Sequence, residues 1–212
     1  MILQTDVKKK ELGMKKISSK LFSLPIAFCC SLFGTLDASE VNEETATFAG
    51  GCFWCLQHDF DRVKGVIKTT AGFTGGNKEN PSYEEVSAGN TGHVEAVQVI
   101  YDPKKITYHE LLNYYWHNID PTRNDGQFCD KGSQYRPVIF YHNEMQRKMA
   151  EKYKQNLIES NEIHPVLVEI LPSKTFYPAE KYHQEYYKKN PFRYKYYRKT
   201  CGRDKRLKEL WG

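Results

Sequence analysis

A pair of glycines, Gly50 and Gly51, leads into Cys52, and Cys55 stands three residues further on. If a helix opens here, its unpaired N–H groups and positive end favour Cys52 as a thiolate, the nucleophilic form of the residue. The glycines allow a tight turn and leave the sulfur open to an incoming atom. The same position also fits a structural thiol buried in a first turn. On a helix Cys52 and Cys55 face one side at a separation that suits a disulfide, so the pair reads as a redox couple. A CxxC also occurs in thioredoxin-like oxidoreductases and in zinc sites. No second CxxC and no HxxxH accompanies it, and Cys129 and Cys201 are isolated in the sequence, which weakens the zinc reading.

A nucleophilic sulfur needs a proton donor and a pocket. Glu95 lies in the run Gly92-His93-Val94-Glu95-Ala96-Val97, where apolar neighbours would raise a carboxyl pKa toward use as an acid. Strand alternation groups Glu95 with His93 and Val97, opposite Val94, Ala96 and Gln98, and leaves open whether that face meets solvent. Phe53 and Trp54 flank the thiol and form either a small apolar pocket or ordinary core. Tyr83, Tyr135 and Asp130 are not singled out by type, since the chain has 15 tyrosines.

The elements that must hold these residues follow from periodicity. Thr45 to Ala49 is β-prone, and Phe53, Leu56, Phe60 and Val63 recur at helical spacing through Val63. Gly65 to Thr74 and His93 to Tyr101 read as strands, separated by a polar stretch containing Asn80-Pro81-Ser82-Tyr83. Thr107 with Glu110 forms a capping box for a helix through Leu111, Leu112, Tyr115 and Ile119, which Pro121 ends. A loop from Thr122 to Gln134 precedes a strand in Tyr135 to His142. The order β-α-β-β-α-β predicts an α+β, ferredoxin-like sandwich with helices on one sheet face. A helix from Asn143 to Asn161, a strand at Val166 to Leu171 and a basic tail from about residue 191 complete the domain. That tail interleaves Arg193, Lys195, Arg198, Lys199, Arg203, Lys205, Arg206 and Lys208 with Tyr194, Tyr196 and Tyr197, and reads as a solvated edge without an RNA-binding signature.

Of the 212 residues, 1–38 read as a secretory signal peptide and 39–212 as a single domain. Lys15, Lys16 and Lys20 precede an apolar run from Leu21 to Leu36, broken by Pro25, and then come Ala38 and Ser39. The run is shorter than the roughly 20 residues a membrane span needs. Cleavage is expected near Ala38, with Met14 a possible start, so the protein is expected outside the cytoplasm, in the periplasm; without a functional signal it stays cytoplasmic. The net charge of +5 falls to +2 without residues 1–38, which removes the electrostatic case for nucleic acid. The cysteines left after position 38 are too sparse for a disulfide scaffold, which favours redox or metal chemistry.

Taken together, Gly51-Cys52-Phe53-Trp54, Gly92-His93-Val94-Glu95, Asp120-Pro121-Thr122 and Gln134-Tyr135-Arg136 resemble the peptide methionine sulfoxide reductase A family, from about Thr47 to Asn190. The resemblance implies a ferredoxin-like core, Cys52 as nucleophile, Glu95 as proton donor to the sulfoxide oxygen, and Tyr83 and Tyr135 as hydrogen-bond donors to it. Asp130 would order the site, and Phe53 and Trp54 would hold the substrate methyl group. It further implies repair of methionine S-sulfoxide, in proteins or free, through a sulfenic acid and then a disulfide, with thioredoxin or an equivalent dithiol as reductant. No cofactor and no metal is implied, and a monomer is expected. The family often has Gly where Cys55 stands and Asn where Cys129 stands. The resolving thiol is therefore either Cys55, by local geometry, or Cys201, by the family's C-terminal cysteine. A thioredoxin-like oxidoreductase using Cys52 and Cys55, and a metal- or anion-binding module, are the alternatives.

Overall fold

The computed structural model describes residues 42–212, so the expected signal peptide lies outside the described residues. The first half runs β1 (Glu44–Ala49), α1 (Phe53–Phe60), β2 (Val66–Thr74), α2 (Tyr83–Ser87), β3 (Val94–Tyr101) and α3 (Tyr108–Trp116). The second runs β4 (Gly126–Gln127), β5 (Asp130–Lys131), β6 (Val138–Tyr141), α4 (Glu144–Ser160), β7 (Glu169–Pro172), β8 (Tyr177–Pro178), α5 (Tyr186–Lys189), α6 (Pro191–Cys201) and α7 (Arg203–Trp211). The main sheet has the order β7-β6-β1-β3-β2-β8. Its four middle strands pair antiparallel, which is the expected ferredoxin-like arrangement, and β7 joins parallel to β6.

Alternation decides which side of each strand is covered. Ala46 and Phe48 of β1, Ala71 and Phe73 of β2, and Val97 and Val99 of β3 pack under Leu56 and Phe60 of α1 and Leu111, Leu112 and Tyr115 of α3. Phe48 stacks between Phe60 and Tyr115, at centroid distances of 5.2 and 4.9 Å. Ala49, Val94, Ala96, Val138 and Phe140 face the other way, against Leu171 and Phe176.

The capping box expected at Thr107 is present: Glu110 N–H donates to Thr107 Oγ1, and Glu110 Oε2 accepts the Thr107 N–H at 2.8 Å. Several expectations are corrected. A second capping box, Ser82 with Glu85, starts α2 inside the stretch read as polar loop. The loop at 122–134 holds the β4–β5 hairpin. Helix α1 stops at Phe60, short of Val63. Strand β7 begins at Glu169 because Leu167 N–H donates to Pro121 O, outside the sheet. The basic tail is two helices packed on the domain, and Arg203 within it is buried. Among the described residues no helix is long and apolar enough to cross a membrane.

Candidate active site

The turn before Cys52 admits no side chains. A Cβ on Gly50 would lie 2.6 Å from Ile119 Cγ2, and one on Gly51, whose φ is +83°, 2.8 Å from Gln127 Cβ. Gly51 N–H donates to Tyr135 O at 3.1 Å, which fastens the turn to the Gln134-Tyr135 segment. Cys52 is the N-cap of α1 and is 7% exposed. The first helical N–H, that of Phe53, donates to Glu95 Oε2 at 2.9 Å.

The surroundings of Cys52 run against the expectation of a thiolate favoured by the helix start. Burial is the main force pushing the Cys52 thiol up, and its hydrogen bond with Cys55 and the negative charges of Glu95 and Asp130 act in the same direction. Cys55 moves down, chiefly through that hydrogen bond, with Arg203 and Arg198 assisting against burial. The pair is therefore polarised: Cys52 is the harder thiol to ionise and Cys55, toward the guanidinium groups, the easier.

Glu95 projects on the helix-covered face of β3, opposite Phe73 of β2, and is 2% exposed. The ambiguity left by alternation is thereby resolved in favour of burial. Burial lifts its pKa to about 8 against the opposing Phe53 N–H, with Asp130 and Cys55 adding to the rise. Tyr83, at the start of α2, is pushed up to about 12 by burial and then by Glu95, and Cys52 adds to this. Tyr135 ends a short 3₁₀ turn (Ser133–Tyr135) and is raised further by burial, Glu95, Tyr83, Asp130 and Cys52. Asp130 of β5 is raised by burial, against a hydrogen bond from Tyr197 and one from the Cys52 N–H. The structure therefore brings Cys52, Glu95, Tyr83, Tyr135 and Asp130 into mutual electrostatic reach.

Phe53 is buried beside Phe73, Tyr83 and His183, at centroid distances of 5.7, 6.2 and 5.3 Å. The Trp54 ring stacks on Tyr186 of α5 at 3.8 Å and meets Tyr197 of α6 edge-on at 6.0 Å. Tyr197 and Arg203, read in the sequence only as part of a solvated basic tail, and His183 and Tyr186 are further residues of the site. Tyr197 donates to both Asp130 oxygens at 2.8 Å. Arg203 donates to Gly50 O behind the turn and to Asn118 O. The signal for the C-terminal residues was a helical face formed by Tyr194, Tyr197, Arg198 and Cys201, hidden by the high charge of the segment.

Cys129 and Cys201 form a disulfide with Cα atoms 4.9 Å apart, whereas Cys52 and Cys55 are free thiols. Cys129, Asp130 and Cys201 converge closely enough to suggest a metal cluster, but their sulfurs are bonded to each other.

Residues 44–212 match the family model described as peptide methionine sulfoxide reductase. This chain belongs to that family. It is 52% identical over 170 residues to the peptide methionine sulfoxide reductase MsrA of Bacillus licheniformis, an alignment covering 80% of this chain and 94% of that protein. Among solved structures it is similar to the reduced form of Mxr1 from Saccharomyces cerevisiae, with a TM-score of 0.66, 34% identity, and 70% of this chain and 86% of that chain covered. It is likewise similar to methionine sulfoxide reductase A of Corynebacterium diphtheriae, with a TM-score of 0.64, 34% identity, and 76% and 81% covered. A structure of Mxr1 in complex with Trx2 shares the fold, with a TM-score of 0.50, 24% identity, and 72% and 91% covered. As a peptide methionine sulfoxide reductase of the A type the chain is an oxidoreductase, and the thioredoxin-like and metal-module alternatives are set aside.

Proposed function

We propose that this chain reduces methionine S-sulfoxide, in proteins or free, with Cys52 as nucleophile and Glu95 as proton donor. The observation that carries the reading is the Phe53 N–H, which ties a buried carboxyl of pKa about 8 to the first turn of the helix that Cys52 caps. At neutral pH Glu95 is protonated and acts as a general acid. Cys52 attacks the sulfoxide sulfur while Glu95 protonates the oxygen, and the thiol proton of Cys52 replaces the one that Glu95 gives up. Tyr83 and Tyr135, uncharged at this pH, donate hydrogen bonds to that oxygen, and Asp130 orders the surrounding groups. Phe53 and Trp54 enclose the methyl group. The sulfoxide sulfur gains two electrons, Cys52 loses two, methionine departs, and Cys52 carries the oxygen as a sulfenic acid.

Cys55 is the thiol hydrogen-bonded to Cys52, while Cys201 is joined to Cys129, so Cys55 is the resolving residue in this reading. Its sulfur displaces the hydroxyl as water and leaves a Cys52–Cys55 disulfide. Thioredoxin or an equivalent dithiol then reduces that bond, a role supported by the complex of the yeast relative with Trx2. The basic, apolar, small-residue order of residues 15–39 supports export, and a Cys129–Cys201 disulfide suits an oxidising compartment.

The test is to incubate the purified chain with separated S and R epimers and dithiothreitol. Consumption of the S epimer alone, abolished in Cys52→Ser, is expected, and undiminished activity in that variant refutes the assignment. Peptide mapping after one equivalent of sulfoxide without reductant should find the Cys52–Cys55 link. A Cys52–Cys201 link would transfer the resolving role.

A further inference from the structure

His183 lies between β8 and α5, outside every motif noted in the sequence, and is 2% exposed. It packs against Phe53, Trp54 and Tyr83, with centroid distances of 5.3, 5.6 and 4.2 Å. Its Nδ1 accepts the indole N–H of Trp54 at 3.0 Å. That geometry fixes the tautomer, because an accepting Nδ1 requires the proton of a neutral ring on Nε2. Nε2 is buried and has no partner. A buried donor left unpaired is unfavourable, so the ring is held there at a cost by its surroundings.

Those surroundings are specific. The next residue, Gln184, presents its amide to β2 as another strand would: Oε1 accepts the Ala71 N–H at 2.9 Å, and Nε2 donates to Ala71 O at 2.7 Å and to Ala179 O at 2.9 Å. Gln57 of α1 accepts the Glu185 N–H at 2.8 Å. Three residues before His183, Glu180 Oε1 accepts the Tyr83 N–H at 3.1 Å. The segment is thus pinned to β2, α1 and α2, the elements that carry or flank the site.

We infer that His183 is a positioning residue for substrate binding, its Nδ1 holding the Trp54 indole in the orientation that forms one wall of the methyl pocket. The inference rests on the proposed pocket role of Trp54 and names the residue that sets it. His183 touches no reacting atom in this scheme. Burial keeps its imidazole below the usual pKa, against the pull of Glu180 and Glu84, so Nδ1 remains an acceptor. An unanchored indole can turn about its side-chain bonds, and part of the binding energy would then go to ordering it.

Steady-state reduction of a peptide containing methionine S-sulfoxide tests this with His183→Leu, His183→Asn and His183→Gln. Asn places an amide oxygen near the Nδ1 position and Gln does not. Loss of one hydrogen bond should raise KM about three- to tenfold in the Leu and Gln variants, with kcat nearly unchanged, while Asn stays near wild type. Trp54→Phe should raise KM as well, and His183→Gln should add nothing in that background. Should His183→Leu not fold, the Asn and Gln pair still decides. The inference is overturned if KM is unchanged in Gln, if Asn is as impaired as Gln, or if the Trp54 and His183 effects add. Failure of the wild-type chain to consume S-sulfoxide would instead remove the proposed function.

Discussion

At the scale of single residues, one backbone N–H carries much of the chemistry. By donating to Glu95, the Phe53 N–H keeps the carboxyl at the mouth of α1, beside the residue that caps it. A carboxyl of pKa about 8 is the acid form at neutral pH, so sulfenic acid formation should decline as pH rises through about 8. Glu95→Gln should slow that step roughly 10²- to 10⁴-fold in single-turnover quench experiments and abolish the descending limb. The sign for stability follows from the same shift. A carboxyl whose pKa is raised on folding contributes stability that is full below its unfolded pKa, about 4.3, and lost as pH rises through the folded value near 8. Glu95→Gln should therefore gain on wild type in thermal unfolding more at pH 9 than at pH 5. Cys52, Phe53 and Trp54 were readable in the sequence because they are contiguous with a glycine turn. The upward shift of the Cys52 thiol was not, since it depends on burial in the folded domain and on carboxylates brought in from β3 and β5.

At the scale of elements, the same distinction separates what was readable from what was not. The strand and helix order through β6 followed from periodicity, and the box at Thr107 set the start of α3. The box at Ser82 and Glu85 was present in the sequence too, but the polar residues around it obscured a short helix. The C-terminal helices were hidden for a different reason: they dock through tyrosines and Trp211 set among many charges and through a buried ionic cluster, a mixture that hydrophobic periodicity does not register. Asp59 of α1 accepts from Arg198 Nη1 at 2.7 Å, pairs with His58 at 2.9 Å and lies 3.7 Å from Arg203 Nε. Although burial opposes it, His58, Arg203 and Arg198 hold Asp59 below its ordinary pKa. Its contribution is present above the unfolded carboxyl pKa and lost as pH falls through the lowered folded value. Asp59→Asn leaves the 1% exposed Arg203 uncompensated and should destabilise by about 3–5 kcal/mol in urea unfolding.

At the scale of the whole molecule, the Cys129–Cys201 disulfide fastens the end of α6 beside β5 across a sequence separation of 72. Cysteine spacing alone cannot reveal such a pairing, because the two residues meet only after the sheet and α6 are assembled. Cys129→Ser should lower stability by about 2–4 kcal/mol, measured by thermal unfolding without reductant. Because Cys55 is the proposed resolving thiol, the same variant should still form the Cys52–Cys55 link.

The amide of Gln184 has a further result at the sheet margin. Strand β8 pairs with β2 at Gly72 and Phe73, the Ala179 N–H that follows donates to Ala71 O, and the Gln184 side chain accepts the Ala71 N–H and also donates to Ala71 O. An open β edge invites a neighbouring molecule to continue the ladder. Here a side chain with the shape of a peptide unit ends it. Gln184→Ala would leave the Ala71 N–H on that border unsealed, and light scattering under mild heating should then report self-association that wild type resists.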